Sequence, residues 1–287
     1  MFKEIRKISI PLLLEYSISL PASPKIFARL SKLIDNDDVG LDYIASIMKM
    51  DPSLISHVLR VANSAYYGGA VKLSDIESAI ARIGFNEVHK VLSIVIARDS
   101  FYQAMPAYGI TATEYADECI AVAVASETIA KRLGYDINTS YIAGLLHAIG
   151  KLAINLYLEK VEQTVDLSAS EIEGSLYEIE ETLLGITSWK AGFELLKHWQ
   201  FDSEIWQPIR QQNSPIHASQ FVERTAILTL SRWLALHLAD FDPEAEYPDT
   251  IRWALETLNF DATDLVSLFD YIRMEFNDRQ NLFSMLI

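Results

Sequence analysis

One histidine in this chain stands where it could do chemistry. In Gly144-Leu-Leu-His147-Ala-Ile-Gly150-Lys151-Leu an imidazole follows an apolar half-turn and lies between two glycines. That suits a helix carrying a ligand to a buried site. The residue after the histidine is Ala148, which has no atom to ligate. The other histidines offer no second half of a site. His57 and His89 fall on separate helices, His198 and His217 are 19 residues apart, and His237 is further on, so no His-x3-His or Glu-x-x-His spacing occurs. There is no Gly-x-Ser-x-Gly elbow and no Walker-type phosphate loop. The single cysteine, Cys119, excludes a disulfide framework and a cysteine zinc site, and its apolar surroundings make it a small core residue.

The elements that must position these residues read as helices. Among 287 residues there are only 11 glycines and 9 prolines, so turns are few and helices long. Ser23-Pro24 opens a helix whose face carries Ile26, Phe27, Leu30, Leu33 and Ile34. Asp51-Pro52 opens another with Ile55, Val58, Leu59 and Ala62 inward. Ser74 and Glu77 have capping-box spacing, and Gly84 closes that helix; a further helix starts at Asn86. Residues 101–112 read as a linker. Thr111 and Glu114 then form a second box ahead of an alanine-rich helix over 114–133, expected at the centre of a second lobe. An apolar helix follows over 139–158, then an acidic, solvated one over 162–181. Shorter helices at 189–199 and 203–211 precede a long one over 219–238, and two more close the chain. No sustained β alternation and no fixed repeat occurs.

The N-terminal half carries an ordered set of motifs: Leu20-Pro21…Pro24, then Asp51-Pro-Ser-Leu…Leu59-Arg-Val-Ala-Asn63-Ser64-Ala-Tyr66-Tyr67-Gly68, then Ala79-Ile-Ala-Arg-Ile-Gly84. Together with His147 they resemble the HDOD family, bacterial all-helical modules related to the HD-type metal-dependent phosphohydrolases. The resemblance covers residues 12–215. It implies an all-α bundle of two lobes, 12–107 and a degenerate HD-like lobe over 112–215, with residues 216–287 as a helical extension packed on the second lobe. It also implies where metal ligands would fall. A His-Ser pair of the family aligns with Glu118-Cys119, the His-Asp pair with His147-Ala148, a Gly-Ile-Asp-His with Gly185-Ile186-Thr187-Ser188, and a His-His pair with Gln212-Asn213. The implied ligand positions thus read Glu118, His147, Ala148, Ser188, Gln212 and Asn213, of which only the first two can hold a metal. No metal and no cofactor is expected. A packed His147 hydrogen-bonded to Glu118 or to a carbonyl is the expectation, with a small-ligand pocket at Glu118, His147 and Lys151 as the alternative.

Asp51, Asn63, Ser64, Tyr66 and Tyr67 form a second motif. Asn63 and Ser64 can satisfy the last carbonyls of a helix, and the paired tyrosines are suitable interface material. Trp189, Trp199, Trp206 and Trp233 read as packing. The net charge of −15 argues against general affinity for nucleic acid or anionic membranes. Lys25, Arg29, Lys32, Lys72, Arg82 and Lys90 read as solvated faces. The charged N-terminus makes a poor signal peptide, and no membrane span is expected, so the cytoplasm is the default compartment. The expected function is a non-catalytic signal-transduction or scaffold module that binds a protein partner, such as a histidine kinase or a cyclic-dinucleotide enzyme. The alternatives are a nucleotide or cyclic-dinucleotide sensor and a residual metal-dependent phosphohydrolase.

Overall fold

The protein is all-α. Its structure, a computed structural model, describes residues 7–17, 45, 48, 52–64, 67, 71–84, 102–168 and 174–286. The helices proposed from sequence over 26–34 and from Asn86 onward lie outside the described residues. Among those described there is no strand, only an isolated bridge between Met105 and Ile110. The chain divides into two compact units, one of residues 21–101 with 275–287, the other of residues 1–20 with 102–274.

In the first unit, α2 (Pro52–Ala62) and α3 (Ile76–Ile83) follow α1 (Ile10–Tyr16), which belongs to the other unit. Ile76, Ala79, Ile80 and Ile83 are buried at the i, i+3, i+4, i+7 spacing of one helix face. The cap of α3 is Asp75, whose carboxylate accepts from Ser78 N; the Ser74–Glu77 box read from sequence is displaced by one residue. Asn63 links the two helices through the backbone. Its amide donates to Leu73 O at 2.9 Å and accepts from Leu73 N at 2.8 Å. Arg82 donates to Val71 O at 2.8 Å and to Ala62 O at 3.3 Å, so the arginine, not Asn63, satisfies the carbonyl at the end of α2.

The second unit begins with α1 (Ile10–Tyr16). Leu13 is fully buried, Ile8 N donates to Leu184 O at 2.7 Å, and Tyr16 meets Tyr157 with ring centroids 5.7 Å apart. These contacts explain why α1 joins this unit rather than the N-terminal lobe to which sequence order assigned it. After a 3₁₀ turn (Pro106–Tyr108) come α4 (Ala112–Leu133), α5 (Ile137–Leu146), α6 (Ile149–Lys160), α7 (Leu176–Leu184), α8 (Ser188–His198), α9 (Ser203–Gln211), α10 (Val222–Leu236), α11 (Asp249–Leu258) and α12 (Ala262–Leu286), whose residues from 275 on are counted with the first unit. The Thr111–Glu114 box starts α4, and Gly134 in the left-handed region ends it. Small residues along α4 let α5 approach to backbone contact: a methyl on Gly144 would lie 2.7 Å from Ala123 Cα. A methyl on Gly150 would lie 1.7 Å from Ser188 O, so α6 and α8 meet the same way. The two glycines around His147 are therefore explained by helix crossing.

Two expectations change. The stretch 139–158 is not one helix but two, broken at His147-Ala148. By length and composition Ile137–Lys160 could cross a membrane, but 89% of its apolar window is buried in the protein, as for core helices. The acidic segment 162–181 is not one solvated helix. Among its described residues the helix is Leu176–Leu184, under a Ser175–Glu178 box, and Glu180 within it is fully buried. The tryptophans are half-buried and pair with rings: Trp189 with Tyr177, Trp206 with Phe193, Trp199 with Phe201, and Trp233 with Tyr247.

Candidate functional site

The break between α5 and α6 builds the site. At His147 the helix tightens, with its N–H donating to Gly144 O, and α6 restarts from Ala148. A break leaves carbonyls without helical partners. Gln212, at the end of α9, donates its amide N–H to His147 O at 3.0 Å, and Tyr115 on α4 donates its hydroxyl at 3.2 Å to Ala148 O, which also accepts from Lys151 N–H. His147 itself is 3% exposed. Its Nδ1 lies 2.7 Å from Gly144 O, and since a carbonyl can only accept, Nδ1 carries the hydrogen. Nε2 then points at Glu118 Oε1, 3.3 Å away on α4. Lys151, one turn beyond His147, donates from Nζ to the same oxygen at 3.4 Å. Arg232 on α10 acts on both Glu118 and His147 through its charge.

The charges have physical consequences. Burial alone would raise the Glu118 carboxyl; the hydrogen bond from a protonated His147 and the charges of Lys151 and Arg232 outweigh it and hold Glu118 well below the ordinary carboxylate range. Burial pushes His147 below the ordinary imidazole range, against the pull of Glu118. At neutral pH the ring is therefore neutral, hydrogen on Nδ1, and gains its bond to Glu118 only on protonation. Glu180 behaves differently. Burial raises it, opposed by hydrogen bonds from Ser188 N–H at 2.6 Å and Tyr108 Oη–H at 2.9 Å and by the charge of Lys151.

The structure brings Glu118, His147, Ala148, Lys151, Ser188 and Gln212 into one neighbourhood. Asn213 is exposed. Ser188 contributes its backbone, with N–H on Glu180 and carbonyl against Gly150. Asn63, Ser64 and Tyr67 belong to the other unit, and Asp51 and Tyr66 lie outside the described residues. Sequence reading missed Glu180, Tyr108, Tyr115 and Arg232. No local pattern could reveal the Glu180 pair, because Tyr108 is 72 residues away.

These residues do not fit the metal that the HD relationship implies. A catalytic zinc site uses about three protein ligands. Glu118 and His147 supply two, Ala148 none, and Gln212 turns its N–H to a backbone carbonyl. Among the described residues no three His, Cys, Asp or Glu side chains are grouped to hold an ion. A divalent ion on Glu118 would also face the Lys151 ammonium on the same oxygen. At about 4 Å and an effective dielectric constant of about 20, that repulsion is roughly 8 kcal/mol. A cleft of about 410 Å³ lies elsewhere in the unit, lined by Pro106, Asn155, Leu158, Glu159, Glu162 and Asp166 among others, with none of the motif residues.

The sequence model of the HDOD domain matches residues 20–215. An HDOD domain protein of unknown function from Geobacter sulfurreducens superposes with a TM-score of 0.64 at 23% identity, covering 94% of this chain and 97% of that one. A Shewanella amazonensis SB2B protein, provisionally named a phosphohydrolase, gives 0.66 at 21% identity over 96% and 98%. A Marinobacter aquaeolei VT8 protein, provisionally named a signal transduction protein, gives 0.70 at 23% over 95% and 61%. An uncharacterised Treponema pallidum (strain Nichols) protein is 24% identical over 203 residues, 70% of this chain. The matched region spans 39% of that relative's length.

Proposed function

From the premise that this chain belongs to the HDOD domain family, we propose that it is a non-catalytic signal-transduction module acting by association with a protein partner. The observation that carries this reading is the state of the one hydrolase-like motif. His147 is kept, but Ala148 stands beside it, and the carboxylate opposite is engaged by Lys151. Such a site has neither a third ligand nor a free carboxylate to hold a water-activating ion. The net charge of −15 favours a protein partner over nucleic acid or an anionic membrane. The name of the Marinobacter relative supports a place in signalling. The partner class proposed with it is a histidine kinase or a cyclic-dinucleotide enzyme, and the proposed compartment is the cytoplasm.

The test is a turnover assay. Purified full-length protein, incubated with Mn²⁺ and bis(p-nitrophenyl) phosphate, should release no more product than the His147→Ala variant. Chelator-sensitive turnover lost in that variant would overturn the reading in favour of a residual phosphohydrolase, the activity named for the Shewanella relative. One observation favours a second reading, a small-ligand sensor: the amide oxygen of Gln212 is buried beside the site without a partner among the described residues. Under that reading, a nucleotide or cyclic dinucleotide would raise the melting temperature without being consumed.

A further inference from the structure

The disagreement between the HD-type metal and the residues present has a cause beyond the missing aspartate. His147 Nε2 and Glu118 Oε1 are 3.3 Å apart. Two ligands each about 2.1 Å from one zinc ion are separated by a similar distance. The imidazole also donates its Nδ1 hydrogen to a backbone carbonyl, the support that metal-bound histidines ordinarily have. Two ligand atoms are thus still held in a metal-like relation. What is changed is the charge around them. Lys151 is bonded to the Glu118 oxygen that faces His147. A second cation, Arg232, acts on the same carboxylate. Arg232 belongs to α10, which packs along α4 and lies beyond the 20–215 region that matches the family.

We infer that this chain closes its own remnant site against divalent cations: Lys151 and Arg232 are resident counter-charges for Glu118, and Arg232 is supplied by a helix outside the family domain. A carboxylate ion-paired with Lys151 and in the field of Arg232 has less attraction left for a further cation, and a dipositive ion on Glu118 would meet the Lys151 ammonium at short range in a half-buried setting. Glu180, which also feels Lys151, is committed to Tyr108 and Ser188 and adds no ligand.

This inference rests on the reading of the site as non-catalytic, and the two can fail separately. The experiment restores the missing ligand with and without removing the cations. Full-length wild type, Ala148→Asp, Ala148→Asp with Arg232→Met, and Ala148→Asp with Lys151→Met and Arg232→Met are titrated with Co²⁺. The visible absorption of the bound ion reports coordination by nitrogen and oxygen. Wild type and Ala148→Asp should show no stoichiometric band, the double variant an intermediate affinity, and the triple variant a band with binding about ten-fold or more tighter than Ala148→Asp. Equal, stoichiometric binding by Ala148→Asp alone would overturn the inference, because the absent ligand would then be the whole explanation. Stoichiometric binding by wild type would overturn it too, and so would a folded triple variant that gains nothing. If the triple variant does not fold, the comparison of Ala148→Asp with the double variant decides, since Met keeps the apolar length of the arginine stem. Metal binding by wild type without turnover would sink this inference and spare the proposed function; chelator-sensitive turnover would sink the latter.

Discussion

His147 and Glu118 both lose stabilisation on acidification, for different reasons. His147 sits below the ordinary imidazole value when folded, so the unfolded chain takes up its proton first, and stability falls as pH drops below about 6.5 towards the folded value. Glu118 is depressed when folded, so its contribution is present above about 4.5 and is lost as pH falls further towards its folded value. Urea unfolding from pH 7 to pH 5 should therefore show a declining midpoint, and the decline should be smaller in His147→Gln. An identical slope in that variant would rule out the histidine as its source. Glu180 works in the opposite sense, since a raised carboxyl loses stability as pH rises through its folded value. Truncating the buried ring in His147→Ala should cost about 1–3 kcal/mol through the bonds to Gly144 and the site. Tyr108→Phe removes a hydrogen bond to the buried Glu180 carboxylate and should cost about 1.5–3 kcal/mol by the same measurement.

Helix crossings, rather than helix propensity, set what the glycines around His147 do. In Gly150→Ala the new methyl would meet the Ser188 carbonyl at 1.7 Å, with backbone on both sides and no flexible chain to yield. We expect a loss of about 3 kcal/mol or more, at the upper end of overpacking. Gly134→Ala supplies the control. It sits at φ +73° with no atom within 4 Å, so only the left-handed backbone is strained, at about 1–2 kcal/mol. If thermal melts rank the two variants the other way round, the close approach of α6 and α8 is not what the motif's second glycine serves. The caps at α4 and α7 are of the kind that contributes about 1 kcal/mol each, and the Thr111→Ala variant should show that amount.

At the scale of the whole molecule, the stretch that matches the family is not the stretch that packs. Residues 1–20 and 216–274 belong to the same compact unit as 102–215. Leu13 of α1 and Ala226, Ile227, Leu230 and Leu234 of α10 are core residues of that unit. A fragment cut to residues 20–215 would leave their partners on α4, α6 and α8 open to water. It should express as an aggregate or lack a cooperative melt, whereas the full chain melts cooperatively. A fragment melting like the full chain would refute this account of the core.

Much of this was legible in order along the chain. Helical periodicity, the Thr111–Glu114 box, Gly84 and Gly134 as helix ends, and the family motif with its missing aspartate all depend on residues near one another, and local rules act on neighbours. The break at His147 was not legible, because an apolar run reads as one helix until Gln212 and Tyr115 are in place to donate to His147 O and Ala148 O. Glu180 looked solvated among other acids, and only the arrival of Tyr108 and of the Ser188 N–H makes its burial tolerable. Arg232 reads as one more helix charge until α10 lies along α4. The sequence by itself determined the all-α class and the absence of most of the implied ligand side chains. The tertiary structure alone decided which charges replaced them, since an electrostatic partner is chosen by distance in space, and distance in space is not written in the spacing of residues.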